Sequence, residues 1–131
     1  MLDDTHAVAA WYGRYNEICN SHRFELLSDY VHEDVQVNGE RQGLSDYIAG
    51  LRYVVDAFPN YRWELQHLLI EGDWLAAHFM DSGQHAGPFL GVPASGRRIS
   101  TQEFAFYRLD DGLIVEVWVT ADNLRLLEQL R

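Results

Sequence analysis

The C-terminal stretch GLIVEVWVTADNLRLLEQL, from Gly112 to Leu130, decides the fold. Its first half alternates apolar residues with other residues as a β-strand does, and after Asp122 the apolar residues recur at helical spacing. Strand side chains two and four positions apart share a face, so one face is predicted to carry Glu116, Trp118, Thr120 and Asp122. Two carboxylates, a hydroxyl and an indole on one face are more typical of a pocket with a few ionisable groups than of a solid core.

Asp122 has two interpretations. A carboxylate beside an indole can have its pKa raised towards neutrality, as a general base requires. Asp is also a common helix N-cap, and Asp122 stands directly before the terminal helical segment. Position in the sequence does not separate these roles, and one residue could fill both.

The composition indicates one globular domain over residues 1–131. Hydrophobic residues make up 47% of the chain, with four Trp, seven Tyr and six Phe, which excludes disorder. The formal net charge is −10 and no basic stripe is present, so we expect neither nucleic acid nor an anionic membrane as a partner.

The sequence also favours a cytoplasmic location. The single cysteine, Cys19, excludes an internal disulfide and is compatible with a reducing compartment. The acidic N-terminus Met1–Asp4 indicates no signal peptide, and the longest apolar run is too short to cross a bilayer.

Helical patterns come first and strand patterns follow. A helix capped by Thr5, a short helix around Phe24–Tyr30 and a helix capped by Ser45 are predicted, the last one stopped by Pro59. A short strand ends in an Asn38-Gly39 turn. Longer strands are predicted at Arg62–Ile70, Leu75–Gln84, Ile99–Leu109 and Gly112–Ala121.

This order predicts an α+β domain, a curved antiparallel sheet packed by the N-terminal helices. Glu71-Gly72-Asp73 and Asp110-Asp111-Gly112 are tight-turn signals, which favour antiparallel hairpins. A strongly curved sheet closed by helices leaves an apolar pocket at its wide end. The surplus of aromatic residues either lines that pocket or fills a solid core.

Three motifs carry a resemblance to a known family. They are FPNYRWE at Phe58–Glu64 followed by LIEGD at Leu69–Asp73, GQHAGPFLGVPASGRRI at Gly83–Ile99, and FYRLDDGLIVEVWVTAD at Phe106–Asp122. They resemble the corresponding segments of the SnoaL-like polyketide cyclases, or ester cyclases, of the nuclear-transport-factor-2-like superfamily. The resemblance covers nearly the whole chain.

The resemblance implies a cone-shaped fold, a homo-oligomer (dimer or tetramer) and an enzyme that needs no cofactor. The implied reaction is an intramolecular aldol-type ring closure, or related isomerase or lyase chemistry, on a small apolar carbonyl compound. In characterised members an aspartate near the end of the last strand is the general acid–base, and Asp122 matches it by motif position.

Other residues are predicted to bind the substrate. Trp118 would form one wall of the site. The substrate would be oriented by His78, Trp63 and Tyr107. His67 is the other histidine that could line the pocket. Asn38 could offer its amide to a carbonyl, or could simply open the Asn-Gly turn. No HExxH motif or closely spaced histidine pair is present, so no catalytic metal is expected.

A second function class stays open. The same fold could serve as a non-catalytic small-molecule-binding or oligomerisation domain, in which Asp122 is only a helix cap.

Overall fold

The computed structural model describes residues 4–131 as three α-helices, one 3₁₀ helix and six strands. The helices are α1 (Asp4–Ser21), a 3₁₀ helix (Phe24–Asp29), α2 (Leu44–Ala57) and α3 (Asn123–Gln129). The strands are β1 (Val31–Val37), β2 (Glu40–Arg41), β3 (Arg62–Glu71), β4 (Trp74–Gln84), β5 (Arg98–Asp110) and β6 (Leu113–Ala121). Met1–Asp3, on which the expectation of no signal peptide partly rests, lie outside the described residues. No helix in the described part is long and apolar enough to span a membrane.

The strands form one mixed sheet in the order β2-β1-β6-β5-β4-β3. All neighbours pair antiparallel, as predicted for the sheet, except β1 and β6, which run parallel. Parallel strands need a long connection, and here most of the chain lies between the two.

The predicted strands β3 to β6 agree with the structure to within one residue at either end. Their hairpin turns contain Gly72 at φ 57° and Gly112 at φ 77°, a backbone conformation that glycine adopts without steric cost. The turn chemistry is local, which is why the sequence predicts it well.

Neither Thr5 nor Ser45 is the N-cap of its helix, although the sequence predicted both. Gly43 is the N-cap of α2, with φ 84° and no side-chain cap bond, so Ser45 lies inside the first turn. The helix α1 already includes Asp4, which places Thr5 within it. Glycine at φ 84° supplies the entry angle that a capping serine was expected to provide.

The sheet has two distinct faces. The inner face packs against the helices and carries buried Trp63, Leu75, Phe79 and Val117. The other face, here called the outer face, exposes five large apolar side chains: Leu69 (72%), Trp74 (40%), Phe104 (51%), Phe106 (54%) and Trp118 (44%). Strand alternation places neighbouring residues on opposite faces, so each strand contributes to both.

Candidate active site

A cavity of about 340 Å³ lies between the inner face and the helices. Its walls come from α2, the start of β3, β5, the end of β6, α3 and the connection between β4 and β5. The lining residues are Leu51, Tyr53, Val54, Tyr61, Trp63, Phe89, Leu90, Glu103, Val119, Ala121, Asn123 and Leu126. We call this space the inner cavity; its walls are mainly aromatic and aliphatic, as in most small-molecule sites.

Glu103 is the one carboxylate among the residues that line the inner cavity. Burial raises its pKa well above the ordinary value, and a hydrogen bond with Asp81 together with the charge of that residue raises it further. A hydrogen bond with the side chain of Trp63 acts in the opposite direction. A carboxyl group whose pKa is raised in this way is suited to general acid–base chemistry.

Asp81 lies behind Glu103 and is completely shielded from solvent. Its Oδ2 accepts a hydrogen bond from the Tyr61 hydroxyl at 2.9 Å. Its Oδ1 is buried with no hydrogen-bond partner among the described residues. Burial raises the pKa of Asp81, and the hydrogen bonds from Glu103 and Tyr61 lower it in part.

Strand register brings the two carboxyl groups together. In the β4–β5 pair, Asp81 lies opposite Thr101, and Phe79 lies opposite Glu103. Asp81 and Glu103 are therefore diagonal neighbours on the inner face, a separation that long side chains bridge.

Tyr61 reaches Asp81 because the chain is tightly packed at the start of β3. Its N–H donates to the Phe58 carbonyl at 2.8 Å, which turns the chain out of α2. A Cβ at Gly83 would lie 3.1 Å from the Phe58 Cβ and 3.3 Å from the Tyr61 Cδ1. Glycine at position 83 therefore allows β4 to approach closely enough for this hydrogen bond.

The connection between β4 and β5 forms one side of the inner cavity through Phe89 and Leu90. The Leu90 N–H donates to the Tyr53 hydroxyl on α2 at 2.8 Å. At the base of the connection, buried His85 accepts the Ser95 N–H at its Nδ1 (3.0 Å). These two hydrogen bonds hold the apolar segment over the cavity.

The structure separates the six residues that the sequence predicts for the site. Trp63 lines the inner cavity. Tyr107 is buried in the core, where its hydroxyl accepts a hydrogen bond from the Tyr12 hydroxyl at 2.9 Å, so it does not reach the inner cavity.

Asp122 is exposed and caps α3. Its Oδ1 accepts the Arg125 N–H at 3.1 Å, and it is not among the residues that line the inner cavity. The predicted cap is thus present, whereas a catalytic role for Asp122 stays a prediction.

Trp118 and Asn38 lie on the other side of the sheet. They border a depression of about 420 Å³ together with Thr120, Phe104 and Phe106. Trp118 and Thr120 do share a face, as the alternation predicts, but it is the outer face. The Asn38 Oδ1 accepts the Val119 N–H at 2.9 Å, and Asn38 opens the Asn-Gly turn at φ 53°, as one of the two interpretations expected.

The carboxylate beside the indole is Glu116, and its pKa is lowered, not raised. The Trp118 N–H donates to Glu116 Oε2 at 2.5 Å, and Arg108 donates to Oε1 at 2.9 Å. Two donors stabilise the charged form of this partly buried carboxylate.

The two candidate histidines also lie on the outer side. The Nδ1 atoms of His67 and His78 are 3.0 Å apart, and the His78 Nε2 donates to Gln102 Oε1 at 2.8 Å. A β-bulge between Leu65 and His67 shifts the alternation of β3, so Trp63 and His67, which regular alternation would place on one face, lie on opposite faces. Neither histidine lines the inner cavity.

Sequence reasoning missed Asp81, Glu103 and Tyr61. Asp81 continues the series Leu75, Ala77, Phe79 at spacing two, so an inward carboxylate could have been recognised on the apolar face of β4. For β5 both faces are mixed in composition, which left the direction of Glu103 open. Within residues 4–131 no group of three or more His, Cys, Asp or Glu side chains is arranged to hold a metal ion.

Comparisons with known proteins agree with this architecture. The family model of the SnoaL-like polyketide cyclases matches residues 9–130. Aklanonic acid methyl ester cyclase DnrD of Streptomyces peucetius is 27% identical over 125 residues, which cover 89% of this chain and 86% of DnrD.

Two solved structures are similar over nearly their full length. A SnoaL-like polyketide cyclase from Agrobacterium tumefaciens is 29% identical with a TM-score of 0.81, covering 92% of this chain and 94% of its own. TsrD from Streptomyces laurentii is also 29% identical, with a TM-score of 0.87 and coverages of 99% and 98%.

Proposed function

Because the chain belongs to the SnoaL-like polyketide cyclase family, we propose that it closes a ring in a small apolar carbonyl compound by cofactor-independent, aldol-type chemistry. The inner cavity is the proposed binding site. One observation carries the proposal: a single carboxyl group, Glu103, lines a mainly aromatic and aliphatic cavity next to a second buried carboxyl group.

The cavity suits a small substrate with a flat or branched apolar body. Its volume of about 340 Å³ is at the lower end of the range found for ligand pockets. The rings of Tyr61 and Trp63 stand at 68° to each other with centroids 4.8 Å apart, which makes a rigid aromatic corner beside Glu103. Such a corner would hold the substrate in one orientation and exclude water.

The proposed reaction begins with proton transfer. A carboxyl oxygen of Glu103 takes a proton from a carbon flanked by carbonyl groups, which produces an enolate. The enolate carbon attacks a second carbonyl of the same molecule, and the resulting alkoxide takes the proton back. Both reacting carbons belong to one bound molecule, so orientation in the cavity supplies much of the acceleration.

Asp122 is the competing candidate for the acid–base, as the motif position predicts. Its carboxylate already accepts the Arg125 N–H at the start of α3 and lies outside the cavity lining, whereas Glu103 meets the bound substrate directly. We therefore assign the acid–base role to Glu103 and treat Asp122 as the alternative that the experiment decides.

The test compares ring closure by four proteins, with aklanonic acid methyl ester as the first substrate because a relative cyclises it. We expect Glu103→Gln to lower kcat by on the order of 10²–10⁴-fold, the usual contribution of an acid–base. Asp122→Asn and the exposed control Glu40→Gln should retain wild-type rates.

If only Asp122→Asn lowers kcat, the general acid–base is Asp122 and not Glu103. If the wild-type protein leaves this substrate unchanged, exchange of acidic C–H protons for deuterium in a panel of 1,3-dicarbonyl compounds is the second assay. Wild-type exchange no faster than that of Glu103→Gln would refute the enzymatic proposal.

The outer face supports the alternative of an oligomerisation domain, and it is compatible with an enzyme that is also a homodimer. Five large apolar side chains lie exposed on one face of the sheet, and an exposed apolar patch of this kind marks interaction sites. Arg108 and Glu116 beside them form an ion pair at 2.9 Å, and Glu71 also borders this face. We propose that two copies meet through these apolar side chains as a homodimer that resides in the cytoplasm.

A further inference from the structure

We infer that Asp81 and Glu103 work as one proton-holding pair, in which Asp81 receives the proton of Glu103 when Glu103 takes a proton from the substrate. Glu103 is the catalytic residue in this scheme, and Asp81 is a positioning residue that does not touch the substrate. The inference rests on the proposed function of the inner cavity.

The surroundings of Asp81 favour a shared proton. Its Oδ2 accepts the Tyr61 hydroxyl at 2.9 Å, and its Oδ1 is buried with no hydrogen-bond partner among the described residues. Glu103 is its diagonal neighbour on the inner face, and two ionised carboxylates have only acceptor atoms, so a hydrogen bond between them needs a proton on one of the two. Oδ1 is the Asp81 atom that is free to share it.

The proton resides on Glu103 in the resting protein. Asp81 already accepts the Tyr61 hydroxyl at 2.9 Å, which stabilises its ionised form, so we place the shared proton on Glu103 as donor and make Asp81 the acceptor. Asp81 then has two donors, Glu103 and Tyr61, which is the arrangement that stabilises a buried carboxylate. The pair carries one proton and one negative charge.

No cation lines the cavity to neutralise that charge. Burial and the charge of Asp81 raise the pKa of Tyr61, so its hydroxyl stays protonated and can donate. His78, across β4, lowers the pKa of Asp81 by its charge. The other titratable side chains that the charge of Glu103 reaches have raised pKa values and are neutral at pH 7; they are Tyr12, Cys19, Tyr47 and Tyr107.

The proposed step moves two protons and no other atoms. The C–H bond of the substrate breaks, and its proton goes to the oxygen of Glu103 that is not bonded to Asp81. The original proton of Glu103 moves to Oδ1 of Asp81. The pair then holds two protons and no charge, and the enolate holds the negative charge.

The second half reverses the transfer. After the carbon–carbon bond has formed, Glu103 gives a proton to the new alkoxide, and Asp81 returns its proton to Glu103. The pair ends with one proton and one negative charge, as it began, so the step needs no further reactant.

The decisive measurement is titration of the carboxyl carbons of Asp81 and Glu103 by NMR, in the wild type, Asp81→Asn and Tyr61→Phe. At pH 7 we expect a protonated Glu103 in the wild type. Asp81→Asn removes the neighbouring charge, so Glu103 should lose its proton at a lower pH. Asp110→Asn, an exposed change on β5, is the matched control and should leave both titrations unchanged.

The pH dependence of kcat provides the second readout. The wild type should show two limbs, because the pair can gain one proton or lose one, and both states transfer protons poorly. We expect Asp81→Asn to lose the alkaline limb and to lower kcat on the order of 10- to 100-fold with little change in KM. Tyr61→Phe retains the ring and removes only the hydroxyl group that donates to Asp81. Its kcat should therefore fall less than that of Asp81→Asn.

Two results would overturn the inference: both carboxyl groups ionised at pH 7, or a Glu103 titration that Asp81→Asn leaves in place. An inactive wild type would instead count against the proposed function, and the NMR titration would still decide whether the pair holds a proton. Unfolding curves of the variants show whether each one retains the fold.

Discussion

Trp118 and Val119 are consecutive residues of β6, yet they border different spaces. Val119 lines the inner cavity beside Glu103, and Trp118 lies 44% exposed on the outer face. This single step of strand alternation decides which residues of β6 can meet a substrate in the inner cavity. Trp118, predicted to bind the substrate, lies on the outer face, so its role in substrate binding stays a prediction.

The cap at α3 predicts a stability difference between two substitutions of Asp122. Asp122→Ala removes the acceptor of the Arg125 N–H and should lower the free energy of unfolding by about 1 kcal/mol. Asp122→Asn retains a side-chain oxygen that caps nearly as well, so its unfolding curve should match that of the wild type. Urea denaturation followed by circular dichroism compares the two; equal losses would mean that the cap contributes little.

The shared proton predicts how stability depends on pH. The folded protein retains on Glu103 a proton that the unfolded chain releases above the ordinary glutamic acid pKa of roughly 4.3. The folded state therefore binds more protons above that pH, and this group's contribution to the free energy of unfolding falls as pH rises. Glu103→Gln should gain stability relative to the wild type between about pH 5 and 8.

Chemical denaturation across this pH range, with Glu40→Gln as control, tests whether Glu103→Gln gains stability relative to the wild type as pH rises. A difference between Glu103→Gln and wild type that stays constant with pH would show that Glu103 ionises as easily in the folded protein as in the unfolded chain.

Close packing at Gly83 predicts opposite effects of two Gly→Ala changes. A methyl group at position 83 would meet Phe58 at 3.1 Å and shift Tyr61, so Gly83→Ala should destabilise the protein by about 1–3 kcal/mol. At Gly50, inside α2, nothing lies within 4 Å of the added methyl group. Gly50→Ala should stabilise the helix by roughly 0.5–1 kcal/mol. Thermal unfolding measures both, and a stable Gly83→Ala protein would mean that β4 can move away from Tyr61.

The outer face predicts the oligomeric state. Phe106 is 54% exposed between Trp74 and Trp118, so Phe106→Glu should convert a dimer to a monomer without unfolding it. Leu124→Glu, on α3 and 72% exposed, adds the same charge away from that face and should leave the dimer intact. Light scattering coupled to size-exclusion chromatography measures the mass; a monomeric wild type, or a Phe106→Glu dimer, would contradict the proposed interface.

The sequence was sufficient for the secondary structure because that information is local. The four long strands end within one residue of the predicted positions, since glycine turns and proline interrupt the pattern there. The predicted cap Asp122 is present, whereas the predicted cap Ser45 is not, because Gly43, at a φ that serine rarely adopts, is the N-cap of α2. The bulge in β3 left no signal in the sequence, and it moved His67 to the face opposite Trp63.

The sequence by itself determined which residues of the regular stretch Glu116–Ala121 of β6 share a face, because alternation in an unbulged strand follows from backbone geometry alone. It also determined membership of the cyclase family, because the motifs extend over nearly the whole chain. Only the tertiary structure decided which face the helices cover, since both faces of β5 and β6 contain apolar and polar residues. The pairing of Asp81 with Glu103 likewise depends on the register of two strands, a contact between residues distant in sequence that the packing of the whole sheet selects.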